Sequence, residues 1–231
     1  MIVEKSDRFR RKDITNSQLL PATNQAFLKD FSKLMQCYHG ALKMASSQLE
    51  ILDTEIRSSN DHQPIHYMES RIKSPQRLFD KMRKKGFEIN MRNVQRITDI
   101  AGIRVVCSYT QDIYYLYDLI RKSECFRIVR ERDYIKNPKP NGYRSLHLVV
   151  IVPVHLSEGT LNLPVEIQLR SIAMDLWASL EHELRYKSDR IISAEDEKKL
   201  LDCAETLASV DMQMQELFLR DDPQYETKEE A

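Results

Sequence analysis

Apolar residues in the first quarter of the chain recur at alternating spacings of three and four. The members of this run are Leu28, Phe31, Met35, Tyr38, Leu42, Ala45, Leu49, Leu52 and Ile56. The spacing predicts a long helix with one apolar stripe, which could pack on its own domain or on another subunit. The polar segment SSND ends the pattern. Residues 1–23 are polar and weakly patterned, so we expect an arm or a short extra element there.

Shorter patterned segments follow the long helix. In SPQRLFDKMRKKG, Ser74 stands at the N-cap, Pro75 in the first turn and Gly86 just after the last turn, which predicts a helix. The apolar run IAGIRVVCSY predicts a buried strand, and QDIYYLYDLIRKS predicts another helix. Three more apolar runs predict strands: FRIVRERDYI, SLHLVVIVPV and LNLPVEIQLR. The last two are joined by HLSEGT, a connection of hairpin length.

Two helical patterns end the chain. SIAMDLWASLEHELRYK is the first, and the second begins at a capping box formed by Ser193 and Asp196. The whole pattern predicts an α+β domain, with a mixed, largely antiparallel β-sheet flanked by helices and with helical N- and C-terminal extensions. The predicted divisions are an arm and helix over 1–60, a central domain over 61–188, a C-terminal helix over 189–220 and a disordered tail over 221–231.

Composition excludes several classes of protein. The four cysteines are scattered without a CxxC pair, which favours reduced thiols in the cytoplasm over a disulfide framework or a structural zinc site. No apolar run approaches the ~18 residues that cross a bilayer. The polar N-terminus also lacks the apolar segment of a signal peptide. We therefore expect a cytoplasmic protein that has no membrane partner.

Charge is unevenly distributed although the formal net charge is zero. The segment from Arg71 to Arg104 carries ten Lys or Arg residues against three acids, whereas the segment from Ser171 onwards carries seven against sixteen. Such a local excess often marks an anionic partner, here for the middle of the chain. The alternative is that these charges only solvate exposed faces.

Glycine placement excludes the common nucleotide-binding loops. The five glycines are far apart, so neither GxxxxGK[ST] nor GxGxxG occurs, and any bound phosphates must be held mainly by side-chain cations. The chain has no adjacent His-Asp pair of the kind used by metal phosphohydrolases. His62 and His66 lie in DHQPIH, where loop histidines are more often exposed to solvent than bound to zinc.

A row of cations runs from a predicted strand into a predicted helix. Its members are Arg71, Lys73, Arg77, Lys81, and Lys84 or Lys85. Arg77 and Lys81 are four residues apart and share one helix face. Such a row beside a helix N-terminus suits a polyphosphate, because each cation can bind a separate oxygen. The alternative is an ordinary surface helix with lysines in its last turn.

Two carboxylates occupy unusual positions at predicted strands. Asp99 directly precedes one strand, and Glu166 alternates with the apolar residues of VEIQLR. A glutamate among apolar neighbours is costly to bury without a partner. Mg²⁺ prefers one or two carboxylates together with phosphate oxygens, so this pair suits a magnesium site. A salt bridge to one of the many arginines is the alternative.

The segment NPKPNGYRSLH combines a turn with polar and aromatic groups. Its prolines, Asn141 and Gly142 predict the turn, after which Tyr143, Ser145 and His147 are expected on one strand face. A tyrosine presented in this way can stack on a flat base, while Lys139 and His147 can reach phosphate or ribose. Together with the carboxylates, this indicates two nucleotides that meet at a metal.

Four of these motifs resemble the synthetase domain of RelA/SpoT homologues, and most closely the single-domain small alarmone synthetases of the RelP type. The motifs are RIKSPQRLFDKMRKKG, DIAGIRVVC, ERDYIKNPKPNGYRSLH and VEIQLRSIAMDLWASLEHELRYK, and the resemblance covers 61–188. It implies a nucleotidyltransferase-like synthetase fold. It also implies transfer of the β,γ-pyrophosphate of ATP to the ribose 3′-hydroxyl of GDP or GTP, with release of AMP, in the stringent response.

The resemblance also implies roles for single residues. Arg71 and Arg104 sandwich adenine, and the residues that hold the ATP phosphates are Lys73, Arg77, Lys81 and Lys84. Asp99 is a Mg²⁺ ligand, and Glu166 binds Mg²⁺ or activates the attacking hydroxyl. Tyr143 stacks on guanine, and the residues around this acceptor nucleotide are Lys139, His147 and Gln168. A homotetramer is implied, and the absence of an HD hydrolase segment implies synthesis without hydrolysis.

Two other functions compete with this interpretation. A non-catalytic module could bind RNA or a nucleotide with the same basic patch and tyrosine. Such a module would not require both carboxylates, which repel an RNA backbone, so RNA binding is not expected. A nucleotidyltransferase would release pyrophosphate from ATP in place of AMP.

Overall fold

The computed structural model describes residues 2–4, 25–59, 62–186 and 193–220. Its described helices are α1 (Gln25–Ser59), α2 (Pro75–Lys84), α3 (Met91–Val94), α4 (Thr110–Lys122), α5 (Ile172–Tyr186) and α6 (Ala194–Arg220). Its described strands are β1 (Ile2–Glu4), β2 (Ile65–Ile72), β3 (Ala101–Cys107), β4 (Arg127–Asp133), β5 (Leu146–Leu156) and β6 (Gly159–Ser171).

The described strands form one sheet in the order β1-β2-β3-β6-β5-β4. The pairs β2–β3, β5–β6 and β4–β5 are antiparallel, whereas β1–β2 and β3–β6 are parallel. The predicted fold class, a mixed and largely antiparallel sheet flanked by helices, is confirmed. Part of the N-terminal arm adds an edge strand, since Ile2 pairs with Met68. The predicted tail over 221–231 lies outside the described residues.

Helix α1 covers one face of the sheet with the stripe that its spacing predicts. The buried members of the stripe are Phe31, Met35, Tyr38, Leu42, Ala45, Leu49, Leu52 and Ile56. They join the inward side chains of the strands in a single core, and α1 contacts β2, β3, β5 and β6. Of the two alternatives for this stripe, packing on its own domain is therefore the one observed.

Side-chain alternation along the central strands creates a second, polar face. In β6, Val165, Ile167 and Leu169 are buried in the core, while Glu166 and Gln168 point to the opposite face. Helices α5 and α6 pack against each other beside this second face, and Trp177 of α5 donates its indole N–H to the carbonyl oxygen of Leu200. The predicted capping box at the start of α6 is present, because Ser193 and Asp196 bind each other's backbone N–H groups.

Candidate active site

An open cleft lies on the polar face of the sheet. Its lining residues are Glu69, Arg71, Asp99, Gly102, Ile103, Arg104, Glu166 and Gln168. Strand register brings them together, because Gly102 pairs with Arg71 on one side and with Glu166 on the other. Arg104 likewise pairs with Gln168. Five residues predicted from sequence to belong to the site thus line one cleft.

Asp99 lies between two lysines at the start of β3. Lys73 Nζ donates to Asp99 Oδ2 over 2.6 Å, and Lys81 Nζ donates to the same oxygen. Burial alone raises the pKa of the Asp99 carboxyl, but these two hydrogen bonds outweigh it and hold the pKa below its usual value. The second oxygen, Asp99 Oδ1, is buried and has no hydrogen-bond partner. Asp99 is therefore ionised at neutral pH and has an oxygen available for a ligand.

Glu166 is held from two sides on the floor of the cleft. Gln168 Nε2 donates to Glu166 Oε2 over 2.7 Å, and His147 Nδ1 lies 3.7 Å from Glu166 Oε1. Burial raises the pKa of Glu166, but the interactions with His147 and Gln168 dominate and hold the pKa below its usual value. Gly102 on the neighbouring strand has no side chain, which leaves open space beside this carboxylate.

Asp99 and Glu166 fit a magnesium site in which phosphate oxygens of the substrate would supply further ligands. The unpartnered, buried Asp99 Oδ1 needs a partner, and both carboxylates line the same cleft. Within the described parts of the chain, no group of three or more His, Cys, Asp or Glu side chains could hold a metal. An ion at this site would therefore depend on substrate oxygens, as Mg²⁺ usually does.

Arg71 and Arg104 project from adjacent strands beside the carboxylates. Arg104 Nη1 donates to Glu69 Oε2 over 3.2 Å, and Arg104 Nε lies 3.3 Å from Asp175 Oδ1. Arg71 is exposed. A salt bridge to an arginine was the alternative for both carboxylates, but Asp99 pairs with Lys73 and Lys81, and Glu166 lies beside His147. Arg104 pairs with Glu69, a residue that the sequence interpretation did not assign.

Helix α2 supplies the cations on one side of the cleft. Ser74 caps it, because its hydroxyl accepts a hydrogen bond from the Arg77 backbone N–H. Lys81 reaches Asp99 from this helix. Arg77 and Lys84 are exposed and are not among the described residues that line the cleft. Burial and the charges of Arg77 and Arg71 lower the pKa of His182, so Arg77 lies on the same side of the molecule as Arg71.

The proline-glycine loop, residues 137–145, reaches the cleft through Tyr143, which contacts His147 beside Glu166. Gly142 N donates to the Lys139 carbonyl oxygen over 2.8 Å, which closes the predicted turn. Gly142 has φ 86°, a conformation that favours glycine, and a Cβ atom there would lie 2.5 Å from the Cβ of Ala204 in α6. Arg144 Nη1 also donates to the Ala204 carbonyl oxygen. Helix α6 therefore packs directly against this loop and supports it.

Tyr143 and His147 meet at the end of the loop. Tyr143 Oη lies 2.7 Å from His147 Nε2 and accepts a hydrogen bond from Arg170 Nη2 over 2.8 Å. With the ring proton on Nδ1, His147 Nε2 can accept a hydrogen bond from the Tyr143 hydroxyl. Lys139 Nζ lies 4.4 Å from the centroid of the Tyr143 ring, within cation–π distance.

One detail of the loop differs from the sequence prediction. Strand β5 begins at Leu146, so Tyr143 and Ser145 precede it, and Ser145 is fully buried. Its hydroxyl donates to the Leu169 carbonyl oxygen over 3.0 Å. The prediction that Tyr143, Ser145 and His147 share one strand face is wrong, because the strand begins after Ser145 and the backbone of β6 accepts the Ser145 hydroxyl.

His62 contacts a carboxylate and an aromatic ring. Its Nε2 lies 3.0 Å from Asp112 Oδ2, and its ring packs 4.6 Å from that of Phe218. His66 is exposed. The cysteines Cys37, Cys107, Cys125 and Cys203 are all free. None of the described helices is both long enough and apolar enough to cross a membrane.

Comparison with known proteins identifies the family. Residues 70–191 match the family model described as a region found in RelA and SpoT proteins. The chain belongs to the RelA/SpoT family. One relative, the GTP pyrophosphokinase YwaC of Bacillus subtilis, is 38% identical over 188 residues, which are 81% of this chain and 90% of that protein. The resemblance seen in the sequence motifs is therefore confirmed.

Solved structures show the same RelA/SpoT-family fold. One is small alarmone synthetase 1 from Bacillus subtilis bound to its product pppGpp, with a TM-score of 0.78 and 31% identity. This match covers 84% of this chain and 99% of the synthetase chain. The same synthetase bound to AMPCPP has a TM-score of 0.71 and 27% identity. This second match also covers 84% of this chain and 99% of the synthetase chain.

Proposed function

We propose that this chain transfers the β,γ-pyrophosphate of ATP to the ribose 3′-hydroxyl of GDP or GTP, which yields ppGpp or pppGpp and releases AMP. The observation that carries the proposal is the meeting of Asp99 and Glu166 in one cleft, between a cationic wall and a wall that presents Tyr143. Two nucleotides can enter from opposite sides and meet at the carboxylates. The names of relatives support it, since YwaC is a GTP pyrophosphokinase and a structural neighbour binds pppGpp.

The adenine of ATP belongs beside β2 and β3 in this proposal. Arg71 and Arg104 project from neighbouring strands, and planar guanidinium groups stack well on flat rings. Arg104 is already fixed by Glu69 and Asp175, so it provides the rigid half of the clamp. Arg71 is exposed and provides the half that can close on the base.

The ATP phosphates belong beside helix α2. Lys73 and Lys81 both donate to Asp99 Oδ2. Phosphate oxygens compete for these ammonium groups, and their arrival would release Asp99 Oδ2 as well as the unpartnered Oδ1. Arg77 and Lys84 would extend the phosphate site, and both exposed side chains must turn towards the cleft to do so.

The acceptor nucleotide belongs against the proline-glycine loop. Guanine stacks on the ring of Tyr143, whose hydroxyl is fixed by Arg170 and His147. Lys139 covers one face of this ring, so it moves towards the acceptor phosphates when the base occupies that face. His147 and Gln168 flank Glu166 and place the ribose beside it.

Asp99 and Glu166 would hold Mg²⁺ together with substrate oxygens. The ion supplies neutralisation of the charge on the transferred phosphates. The family names support a nucleotide-dependent enzyme of this kind, and the unpartnered Asp99 Oδ1 supports the position.

Glu166 is the group proposed to accept the hydrogen of the attacking 3′-hydroxyl. Its lowered pKa keeps it ionised in the free enzyme, and nearby phosphates would raise that pKa towards the range of a useful base. The hydroxyl oxygen bonds to the β-phosphorus of ATP, the bond to the α-phosphate breaks, and AMP leaves. Such a reaction needs positioning and charge neutralisation more than covalent help.

A homotetramer in the cytoplasm completes the proposal. Helix α5 exposes a stripe of apolar side chains at intervals of four, namely Ile172, Leu176, Leu180 and Leu184, which are each 46% to 52% exposed. A second copy of the chain could cover such a stripe. Synthesis without hydrolysis is proposed as well, because the sequence contains no adjacent His-Asp pair. We also propose that the synthetase domain spans 61–188, with the arm and first helix over 1–60 before it and the C-terminal helix over 189–220 after it.

Product analysis tests the proposed reaction. Purified protein is incubated with ATP and GDP, with and without magnesium, and the nucleotides are separated by ion-exchange chromatography. We expect AMP and a guanosine 3′-pyrophosphate in equal amounts, and only with magnesium. Release of pyrophosphate would indicate a nucleotidyltransferase, and the absence of any product would favour a binding module.

A further inference from the structure

Asp175 lies in the first turn of α5 and contacts side chains from three strands of the sheet. Its Oδ1 accepts a hydrogen bond from Arg170 Nη1 over 2.9 Å and lies 3.3 Å from Arg104 Nε. Its Oδ2 accepts the hydroxyl of Tyr67 from β2. The carboxylate is only 6% exposed and so contacts side chains from β2, β3 and β6 at one buried point.

The two arginines that contact Asp175 belong to different parts of the proposed site. Arg104 is the rigid half of the proposed adenine clamp. Arg170 Nη2 donates to Tyr143 Oη over 2.8 Å and to Gln168 Oε1 over 2.9 Å, both on the acceptor side. One carboxylate therefore fixes a residue of each proposed nucleotide subsite.

Both guanidinium groups depend on this carboxylate. Arg170 is 5% exposed, and its Nε has no hydrogen-bond partner, as is also true of Arg104 Nε. Asp175 is the acidic partner of Arg170 among the described residues, whereas Arg104 has Glu69 in addition. Removing one partner from a buried ion pair leaves an uncompensated charge, which then seeks a new position.

Tyr67 holds the carboxylate in its orientation. Burial and the hydrogen bond to Asp175 raise the pKa of Tyr67 to about 12, so the hydroxyl stays a donor at neutral pH. With Oδ2 fixed in this way, Oδ1 is directed at both arginines. The Asp175 carboxylate therefore keeps its contacts with Arg104 and Arg170 at the same time.

We propose that Asp175 is a positioning residue that sets the geometry of the ATP and the GDP/GTP subsites together. This inference rests on the proposed function, because it takes Arg104 for a donor residue and Tyr143 for an acceptor residue. Asp175 touches neither nucleotide. It acts by holding Arg104 directly, and by holding Tyr143 and Gln168 through Arg170.

The test compares two isosteric changes at buried aspartates. Asp175→Asn removes the charge that holds two arginines, and we expect the KM for ATP and the KM for GDP each to rise about tenfold, with a smaller fall in kcat. Asp211→Asn is the matched control. Asp211 is equally buried, but its partners are the hydroxyls of Ser171 and Thr110, so both KM values should stay near those of the wild type.

Calorimetry with GDP and with AMPCPP provides a readout that does not depend on turnover. Affinity for both ligands should fall in Asp175→Asn and stay near that of the wild type in Asp211→Asn. If Asp175→Asn does not fold, Asp175→Glu keeps the charge but displaces it, and the same paired loss is expected.

Two results would overturn the proposal. One is an Asp175→Asn protein that melts at a lower temperature but binds both ligands normally, since Asp175 would then be only structural. The other is a loss confined to one nucleotide. A wild-type protein that binds both ligands but forms no AMP would contradict the proposed function alone, because the binding comparison still decides the role of Asp175.

Discussion

Tyr143 shows at the scale of one residue how a flat surface that could stack on a base is held in place. Its hydroxyl is fixed between Arg170 and His147, so the ring loses little freedom when a base stacks on it. Lys139 Nζ lies 4.4 Å from the centroid of the ring, so its positive charge is close to the proposed guanine site. A tyrosine in a polar loop could equally have been a surface residue, and these fixed contacts favour the binding role.

Replacement of this ring tests the side of the cleft to which it belongs. Tyr143→Ala should raise the KM for GDP, because one base stack is worth ~1–3 kcal/mol, while the KM for ATP changes much less. Tyr143→Phe keeps the ring and should retain most of the GDP affinity. Steady-state rates with each substrate varied in turn provide the measurement. A loss of ATP affinity with normal GDP affinity would reverse the assignment.

At the scale of elements, the proline-glycine loop and helix α6 depend on each other. The loop approaches the helix so closely at Gly142 that no side chain fits, and Tyr143 packs with Trp177 and Leu200 in a small apolar cluster between α5 and α6. The C-terminal helix therefore supports the loop on which the acceptor nucleotide is proposed to bind.

Substitution at Gly142 tests this dependence. Gly142→Ala should weaken GDP binding at least tenfold, because the new methyl group meets Ala204 at 2.5 Å and its φ of 86° disfavours alanine. Gly86→Ala is the matched control, since its φ is also positive but nothing lies within 4 Å, leaving only a backbone cost of about 1–2 kcal/mol.

A compensating change makes the test specific to the contact. Ala204→Gly in the Gly142→Ala background removes the opposing methyl group and should restore part of the GDP affinity. ATP affinity should stay near normal throughout. Equal behaviour of Gly142→Ala and Gly86→Ala in GDP titrations would refute the proposed support of the loop by α6.

The elements that sequence predicts best are those with long periodic patterns. The stripe of α1, the cap of α2 at Ser74 and the alternation around Glu166 all follow from local spacing, and the structure has them. Local spacing carries no information on the parallel pairing of β1 with β2 or on the order of the strands. These depend on contacts between residues far apart in the chain.

The same limit applies to the candidate site, where local spacing indicates some residues and long-range contacts decide the others. The alternation in VEIQLR places Arg170 beside Glu166 and Gln168, so a signal for its involvement was present. Asp175 gives no such signal, because an acid in the first turn of a helix is expected from the helix dipole alone. Tyr67 and Glu69 gain their roles only when β2 pairs with β3.

At the scale of the whole molecule, surface apolarity is concentrated on α5 and α6. The stripe of α1 is covered by its own domain, so assembly cannot depend on it. The exposed leucines of α5 are the surface on which the proposed homotetramer would depend, because solvent exposure of such a row is unfavourable.

A charge placed in that row tests the proposed assembly. Light scattering should give a tetramer mass for the wild type and a smaller mass for Leu180→Glu, since a carboxylate is costly to bury in an apolar contact. Leu156→Glu, at an exposed position where β5 ends, is the matched control and should leave the mass unchanged. A wild-type monomer at micromolar concentration would contradict a tetramer, and an unaffected Leu180→Glu protein would remove α5 from the interface.

The central claim is that transfer of the pyrophosphoryl group takes place at Glu166 and Asp99. The most direct measurement is single-turnover formation of AMP from ATP and GDP by Glu166→Gln, with binding of both nucleotides determined by calorimetry on the same preparation. Glu131→Gln is the matched control, because Glu131 lies on exposed edge strand β4 and accepts a hydrogen bond from Tyr117.

Glu166→Gln should fold and bind both nucleotides, while AMP formation falls about 10²-fold or more, the usual scale for loss of an acid–base group. The amide lacks both the charge that steadies Mg²⁺ and the basic oxygen that accepts the hydroxyl hydrogen. Glu131→Gln should keep the wild-type rate. A Glu166→Gln protein that forms AMP at a rate close to that of Glu131→Gln would contradict the account.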